Sequence, residues 1–376
     1  MAATSDAPAP GRVAGPARPP RAVGVGVYDR YESLTEVKAY YGVLAIYALA
    51  RLADRYQDRG LLARVERILA RFPDEVDHPP YNFASYRIGG CATAYEAARG
   101  RATGRHDLLA EYAEEMMTAP RDARGILEHI APPRGRIWID VAMAAAPFLL
   151  YAGRALDRPE YVDEAVHQAV ALHDALLDTA TGLLHQCEGF LGAGVRSTDH
   201  WGRGNGWGHL ALAELAAGLS EDHPGHADVV ARFVALSARL LPYQSRRGLW
   251  RQELPDPGSW EESSGTGLIT YSLGRGIEAG VLDPQTYGPA VRRGIAGLGG
   301  YAVNPDWSTE NSCPGTLCPG DGTARAYVEL REPHRDEVHS FAAIILAMSV
   351  APVVGVESVA LRAARQTTTY LEAADR

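Results

Sequence analysis

Lysine is almost absent: Lys38 is the only one in 376 residues, and every other basic side chain is arginine. That scarcity closes off chemistry. No Gly-Lys-Ser/Thr phosphate loop exists, and no second lysine is present to form a Schiff base. No GxGxxG opens a strand-helix-strand unit. Cysteine is also sparse, and Cys91, Cys187, Cys313 and Cys318 include no CxxC pair. Cys313 and Cys318 flank Pro-Gly-Thr-Leu, so one reading is a disulfide and the other is free thiols in a cytoplasmic protein. Two thiols without a second cluster make a poor zinc site, and neither metal nor cofactor is expected. Apolar runs of about 18 residues are missing, which predicts no membrane span. A formal net charge of −9 argues against nucleic acid as a partner. It leaves room for a small acidic ligand held by clustered arginines.

What is present is a chain able to build a large core, 46% hydrophobic and 22% charged. Residues 1–22 are rich in Ala, Pro, Gly and Arg and lack the apolar core of a signal peptide. They read as a disordered tail before a single domain over 23–376. Strand-type alternation is scarce, and nearly every periodic stretch reads as helix. A capping-box start, Ser33-Leu34-Thr35-Glu36, precedes an apolar stripe through Val43, Ile46, Leu49 and Leu52. Further helices are predicted near 61–72, 83–100, 107–118, 139–156, 159–177, 205–220, 226–242, 265–280, 285–299, 337–350 and 354–373. Pro159 and Pro284 stand at helix starts, where a missing N–H costs nothing. These twelve helices form six consecutive pairs, with short links inside pairs and longer ones (119–138, 178–204, 243–264, 300–336) between them. Short links make antiparallel neighbours. Six hairpins in a ring give an all-α (α/α)6 barrel, with every long loop opening at the end where the inner helices begin. No fixed sequence period supports a solenoid.

Chemistry-bearing residues recur at those starts: Tyr40-Tyr41, Tyr81-Asn82-Phe83, Trp138-Ile139-Asp140, Trp201 to Trp207, Glu261 to Thr266, and Glu337 to His339. Trp201-Gly202-Arg203-Gly204-Asn205-Gly206-Trp207 joins flat aromatic faces, polar heads and glycines. It fits a sugar ring, and equally a glycine-rich entry to a buried helix. Asp140 heads the apolar run Val141–Leu150, so its carboxylate is paired, capping or catalytic. If buried, it becomes a usable proton donor. His185 is structural or a ligand contact. Glu262 is a contact or the cap of its helix. Arg203 either holds a substrate carboxylate or pairs with Asp199.

Together these motifs resemble the unsaturated uronyl hydrolases of glycoside hydrolase families 88 and 105. The resemblance runs over about residues 35–350. It is carried by Trp138-Ile139-Asp140 with Met143 and Pro147-Phe148-Leu149, by Thr181-Gly182-Leu183 with His185, by Trp201–Trp207, by Gly248–Gln252 and by Ser259–Thr266. It implies an (α/α)6 barrel and a saccharide substrate ending in a 4,5-unsaturated uronic acid. It also implies metal-free hydration of the C4=C5 enol ether, with Asp140 as general acid and base. Trp201, Arg203, Asn205 and Trp207 match substrate-contact positions, as do His129 and Tyr41. His185, Glu262, Ser264, Thr266 and His339 complete the candidate set. The family's second pocket aspartate, at the head of the third helix, is missing from Asn82-Phe83-Ala84-Ser85-Tyr86-Arg87. Glu188 or Glu262 is the candidate replacement. Arg87 either reads an extra anionic group on the substrate or pairs with a surface acid such as Glu96. Two other functions stay open: a conventional glycosidase using Asp140 with Glu188 or Glu262, and a sugar-binding barrel without activity.

Overall fold

The computed structural model describes residues 15–35, 40–76, 83–315, 323–329 and 332–363. Helices dominate: α1 (Pro20–Leu34), α2 (Tyr40–Arg55), α3 (Arg59–Leu69), α4 (Ala84–Arg87), α5 (Gly90–Ala98), α6 (His106–Thr118), α7 (Val141–Leu156), α8 (Pro159–Leu176), α9 (Gly202–Gly218), α10 (His226–Leu240), α11 (Ser263–Glu278), α12 (Pro284–Gly297), α13 (Ala324–Glu329) and α14 (Val338–Ser349). Six of them close a ring by successive contact: α2, α5, α7, α9, α11, α14 and back to α2. An outer helix backs each one, α3 on α2, α6 on α5 and α7, α8 on α7, α10 on α9, α12 on α11, and α1 on α14. The architecture is the expected (α/α)6 barrel, and solved barrels described below share it.

Burial separates the two rings. Inner helix α9 is buried at every position from Gly202 to Ala216, and α14 from His339 to Ser349. Outer helix α3 buries only Leu61, Val65, Ile68 and Leu69, one stripe at helical spacing. Glycine lets inner backbones touch: a Cβ on Gly265 would stand 2.7 Å from the Gly202 carbonyl carbon. Pro159 and Pro284 begin α8 and α12, and the Asp283 carboxylate accepts from the Gln285 and Thr286 amides at 3.2 and 2.9 Å.

Four expectations need correction. Ser33 and Leu34 end a helix rather than start one: the Ser33 hydroxyl donates to the Arg30 carbonyl at 2.7 Å, and Glu36 lies outside the described residues. The stretch read as tail through residue 22 is already structured by Ala17, because α1 buries Val23, Val27, Tyr28 and Tyr31 against the barrel. Proline and glycine masked that stripe. The predicted helix 354–373 is, within the described residues, a turn at Gly355 followed by strand β6 (Val359–Ala360), which pairs antiparallel with β1 (Ala17–Arg18). Helix α1 therefore takes the outer place expected for the chain's last helix. The helix predicted over 83–100 is also split, into α4 and α5, by positive φ at Gly89 and Gly90.

Every described connection from an inner to an outer helix is short, while those entering α7, α9, α11 and α14 are long. Two-stranded ladders fix these long loops. β2 (Ile137–Trp138) pairs with β3 (Cys187–Glu188), and β4 (Trp250–Arg251) pairs with β5 (Glu261–Glu262). Toward the far end the barrel interior is plugged by buried Glu214, whose carboxylate accepts hydroxyls from Tyr47 and Tyr151 at 2.6 Å and Tyr271 at 2.5 Å. Among the described residues, no helix is long and apolar enough to cross a membrane. Cys91 and Cys313 are free thiols, and Cys91, Cys187 and Cys313 are all buried. Cys318, the partner considered for Cys313, lies outside the described residues.

Candidate active site

Asp140 is the residue immediately before α7, held at the open end by the β2–β3 ladder and by the Ile139 amide donating to the Gln186 carbonyl at 2.9 Å. Its carboxyl lies deep in the protein, yet the residue is not sealed from solvent, as expected at the bottom of a pocket. Oδ2 has no hydrogen-bond partner, and neither has the indole Nε1 of Trp207. Burial lifts the Asp140 pKa to about 7, against the opposing charge of Arg203. A carboxyl so placed is half protonated near neutrality and has an oxygen free for a reacting atom.

Around it stands an aromatic wall. Tyr86 feels the charge of Asp140, which together with burial drives its hydroxyl far above the ordinary phenol range. Its ring centroid lies 6.0 Å from that of Tyr40 and 6.2 Å from Phe83. Tyr41 meets Tyr40 and His339 edge-on at 5.6 and 5.8 Å. His339 contacts the Tyr40 hydroxyl through Nε2 and Glu337 through Nδ1 at 2.7 Å. Burial opposes the charge on Glu337, but His339 and Arg203 outweigh it and hold the carboxyl at about 2. Glu337 is thus an ionised acid near the pocket; the sequence places it at an inner-helix start but gives it no role, although its spacing of two from His339 suits helix capping. Tyr40, named at the first of those starts, and Tyr86 likewise carried no assigned role.

Residues 27–351 match the sequence model of Glycosyl Hydrolase Family 88. The chain belongs to this family. A curated relative of this family 88 chain, the unsaturated rhamnogalacturonyl hydrolase YesR of Bacillus subtilis, is 30% identical over 173 residues, 44% of this chain and 50% of that protein. The chain thus matches about half the length of that relative. A solved structure described as a possible member of family GH105 from Klebsiella pneumoniae superposes with a TM-score of 0.77 at 20% identity, covering 88% of this chain and 92% of that one. The unsaturated glucuronyl hydrolase of Bacillus sp. GL1 superposes with a TM-score of 0.65 at 18% identity, covering 87% and 94%.

Within this family 88 chain the predicted residues divide into groups. Asp140, Trp207, Arg203, Tyr41 and His339 gather at one end of the barrel. Arg203 is buried, stacks on Trp201 at 4.5 Å, and donates to Ser264 at 3.1 Å and to the Cys313 and Gly315 carbonyls at 2.7 and 2.5 Å. It does not pair with Asp199; its charge reaches Asp140 through space. Asn205, expected to touch substrate, is instead fully engaged by backbone: it accepts from the Leu184 amide at 2.9 Å and donates to the Leu184 and Trp201 carbonyls at 3.0 and 3.1 Å. Glu262 caps α11, accepting from the Ser264 and Gly265 amides and from the Cys313 amide at 3.1 Å. The Thr266 hydroxyl accepts from the Trp250 amide at 2.8 Å and donates to the Glu262 carbonyl at 2.5 Å. Asn205, Glu262, Ser264 and Thr266 therefore form the buried frame that holds Arg203 and the loops, rather than a binding surface.

His129 stands apart, stacked on Trp138 at 5.1 Å beside Phe190, a partly exposed aromatic platform next to the Asp140 loop. His185 belongs to another cluster, where His200 and Asp178 act on it. Neither candidate for the second carboxylate reaches Asp140: Glu262 is a cap, and Glu188 pairs with Arg124 at 2.7 Å. Arg87 pairs with surface Glu115 and lies over the Tyr112 ring at 5.0 Å. The outward reading of Arg87 is thus the right one, with Glu115 in place of Glu96, which Arg101 occupies. Arg87→Ala is expected to change stability by less than about 1 kcal/mol and to leave any preference for anionic over neutral saccharides unchanged. Kinetics on a matched pair of substrates check this.

Proposed function

We propose that this family 88 chain hydrates the C4=C5 double bond of a terminal unsaturated uronic acid and so releases the rest of the saccharide. The observation that carries this reading is the enclosed Asp140 carboxyl, with a free oxygen and a pKa of about 7. Protonated Asp140 gives its proton to C4, and the positive charge that develops at C5 is shared with the ring oxygen. Water then adds at C5 and returns a proton to the Asp140 carboxylate. The hemiketal opens and the remaining saccharide leaves. One group suffices because the same carboxyl serves as acid and then base. A two-carboxylate glycosidase is less well supported, since Glu188 and Glu262 are both engaged elsewhere. Arg203 supplies positive charge and the Trp207 indole a donor for a uronate carboxylate.

The direct test is a panel of disaccharides made by polysaccharide lyases. The conjugated enol ether absorbs in the ultraviolet, and hydration destroys that absorbance. Binding without absorbance loss on every substrate contradicts the proposal. The active form carries protonated Asp140, so kcat falls as pH rises past about 7. Arg203 holds that pKa down, so Arg203→Met is expected to move the alkaline limb to higher pH. A pH–rate profile of the folded variant reads the shift, and a limb that stays in place assigns it to another group.

A further inference from the structure

Asp178, His185 and His200 all lie on the loop joining α8 to α9. Each offers one ligand atom, and these atoms lie within 4.8 Å of one another. The backbone beneath them is pinned: the His185 amide donates to the Leu176 carbonyl at 2.9 Å, and the Asp178 amide to Leu183 at 2.9 Å. The His200 amide donates to both Glu253 oxygens, at 2.8 and 3.0 Å. The cluster is half-buried and keeps contact with solvent.

The contact between His200 and Asp178 is the telling one. His200 Nε2 sits 2.9 Å from Asp178 Oδ2, while His200 Nδ1 faces Glu253 at 3.6 Å. The 2.9 Å contact is a hydrogen bond in which His200 Nε2–H donates to the carboxylate, and a metal ion at the cluster takes the place of that proton. His185 stands beside the pair, its ring centroid 5.0 Å from that of His200, and its buried Nδ1 has no hydrogen-bond partner. Two imidazoles and one carboxylate are a donor set that suits a tetrahedral borderline metal such as Zn2+. Glu253, 3.6 Å from Nδ1, sets a negative charge beside the ligating ring.

We propose that Asp178, His185 and His200 form a site for a divalent transition-metal ion, separate from the Asp140 carboxyl. The cation replaces the proton shared by His200 and Asp178, and that proton passes to solvent. The site bridges the loop that carries Gln186, whose carbonyl accepts from the Ile139 amide beside Asp140. Metal binding would therefore stiffen the loop against the pocket floor without entering the chemistry.

The test uses the full chain stripped of metal with a chelator. Titration with Co2+ is expected to give visible d–d absorption of tetrahedral intensity at one equivalent, displaced by Zn2+. Zn2+ is expected to raise Tm. His185→Ala removes a ring whose Nδ1 has no partner and should fold; it is expected to weaken Co2+ binding by ~10²-fold or more and to cancel the Zn2+ effect on Tm. Asp178→Asn serves as the second variant should the first fail to fold. Binding only at millimolar Co2+, equal binding by the variants, or a sulfur-to-cobalt charge-transfer band pointing to the cysteines would each overturn the proposal. So would a stability profile explained wholly by a protonated His200 between Asp178 and Glu253, with no response to metal.

Discussion

Asp140→Asn is expected to lower kcat by at least ~10², the scale of general acid–base catalysis, and to leave substrate binding largely intact. An amide keeps the size and most of the polarity of the carboxyl but has no proton to give C4 and cannot take one from water. The same change should stabilise the fold, and the sign follows from linkage. The Asp140 pKa is about 7 when folded against 3.8 for the free side chain, so the native state binds more protons between those values and stability falls as pH rises through them. Above pH 7 the buried charge costs at most roughly 4 kcal/mol, at 1.36 kcal/mol for each pKa unit. Asparagine escapes that cost. Urea unfolding of the variant and its parent is expected to show the gain at pH 8 and little of it at pH 4. A variant with near-parental turnover, or with equal gains at both pH values, would place the proton donor elsewhere.

The second large effect lies at the opposite end of the barrel. Glu214→Ala is expected to cost about 3–5 kcal/mol of stability, as when one partner of a buried charge network is removed. Three tyrosine hydroxyls lose their acceptor, and Arg51 and Arg275 lose a negative neighbour inside the ring. Glu214→Gln keeps an acceptor for the hydroxyls but not the charge, so the gap between the two variants separates hydrogen bonding from ion pairing. Burial opposes ionisation of Glu214, yet Arg51 and Arg275 prevail and keep its pKa low. Its stabilising contribution is therefore full above the ordinary carboxylate range and is lost as pH falls through the lowered value. Urea midpoints across pH measure this. Because Glu214 is far from the pocket mouth, kcat of either folded variant at low temperature should match the parent.

The ring and its open end were legible because both follow from local signals. Helical spacing marks the elements, and link length marks which neighbours pair. Asp140 stood out as a charge heading an apolar helix. What escaped was non-local. Asn205 and Thr266 look like ligand-binding groups in a linear motif, and only the tertiary structure shows their polar atoms already engaged by the Leu184 and Trp250 backbone. Glu337 was hidden by the opposite error, as a residue given no role beside His339 whose neighbourhood with Arg203 depends on ring closure. The Glu214 plug draws tyrosines from α2, α7 and α11, so no window of sequence contains it. Arg87, by contrast, invited a functional reading because an expected acid was missing nearby, and an ordinary surface ion pair accounts for it.

That the barrel is completed by α1 on α14, and by α14 between α11 and α2, has a consequence for how such a chain is made. A growing polypeptide presents α2 early, but the helix that covers its open flank, α14, is made only after α11. Until then the nascent ring is a crescent with two apolar edges, and α1 has only its contacts with α2 and α3. Exposed edges of that kind invite association with other chains or with chaperones. The seam also suggests a remedy: β1 and β6 are already paired, so a permuted chain joined there and opened in a long loop between hairpins would synthesise the present seam as one continuous unit.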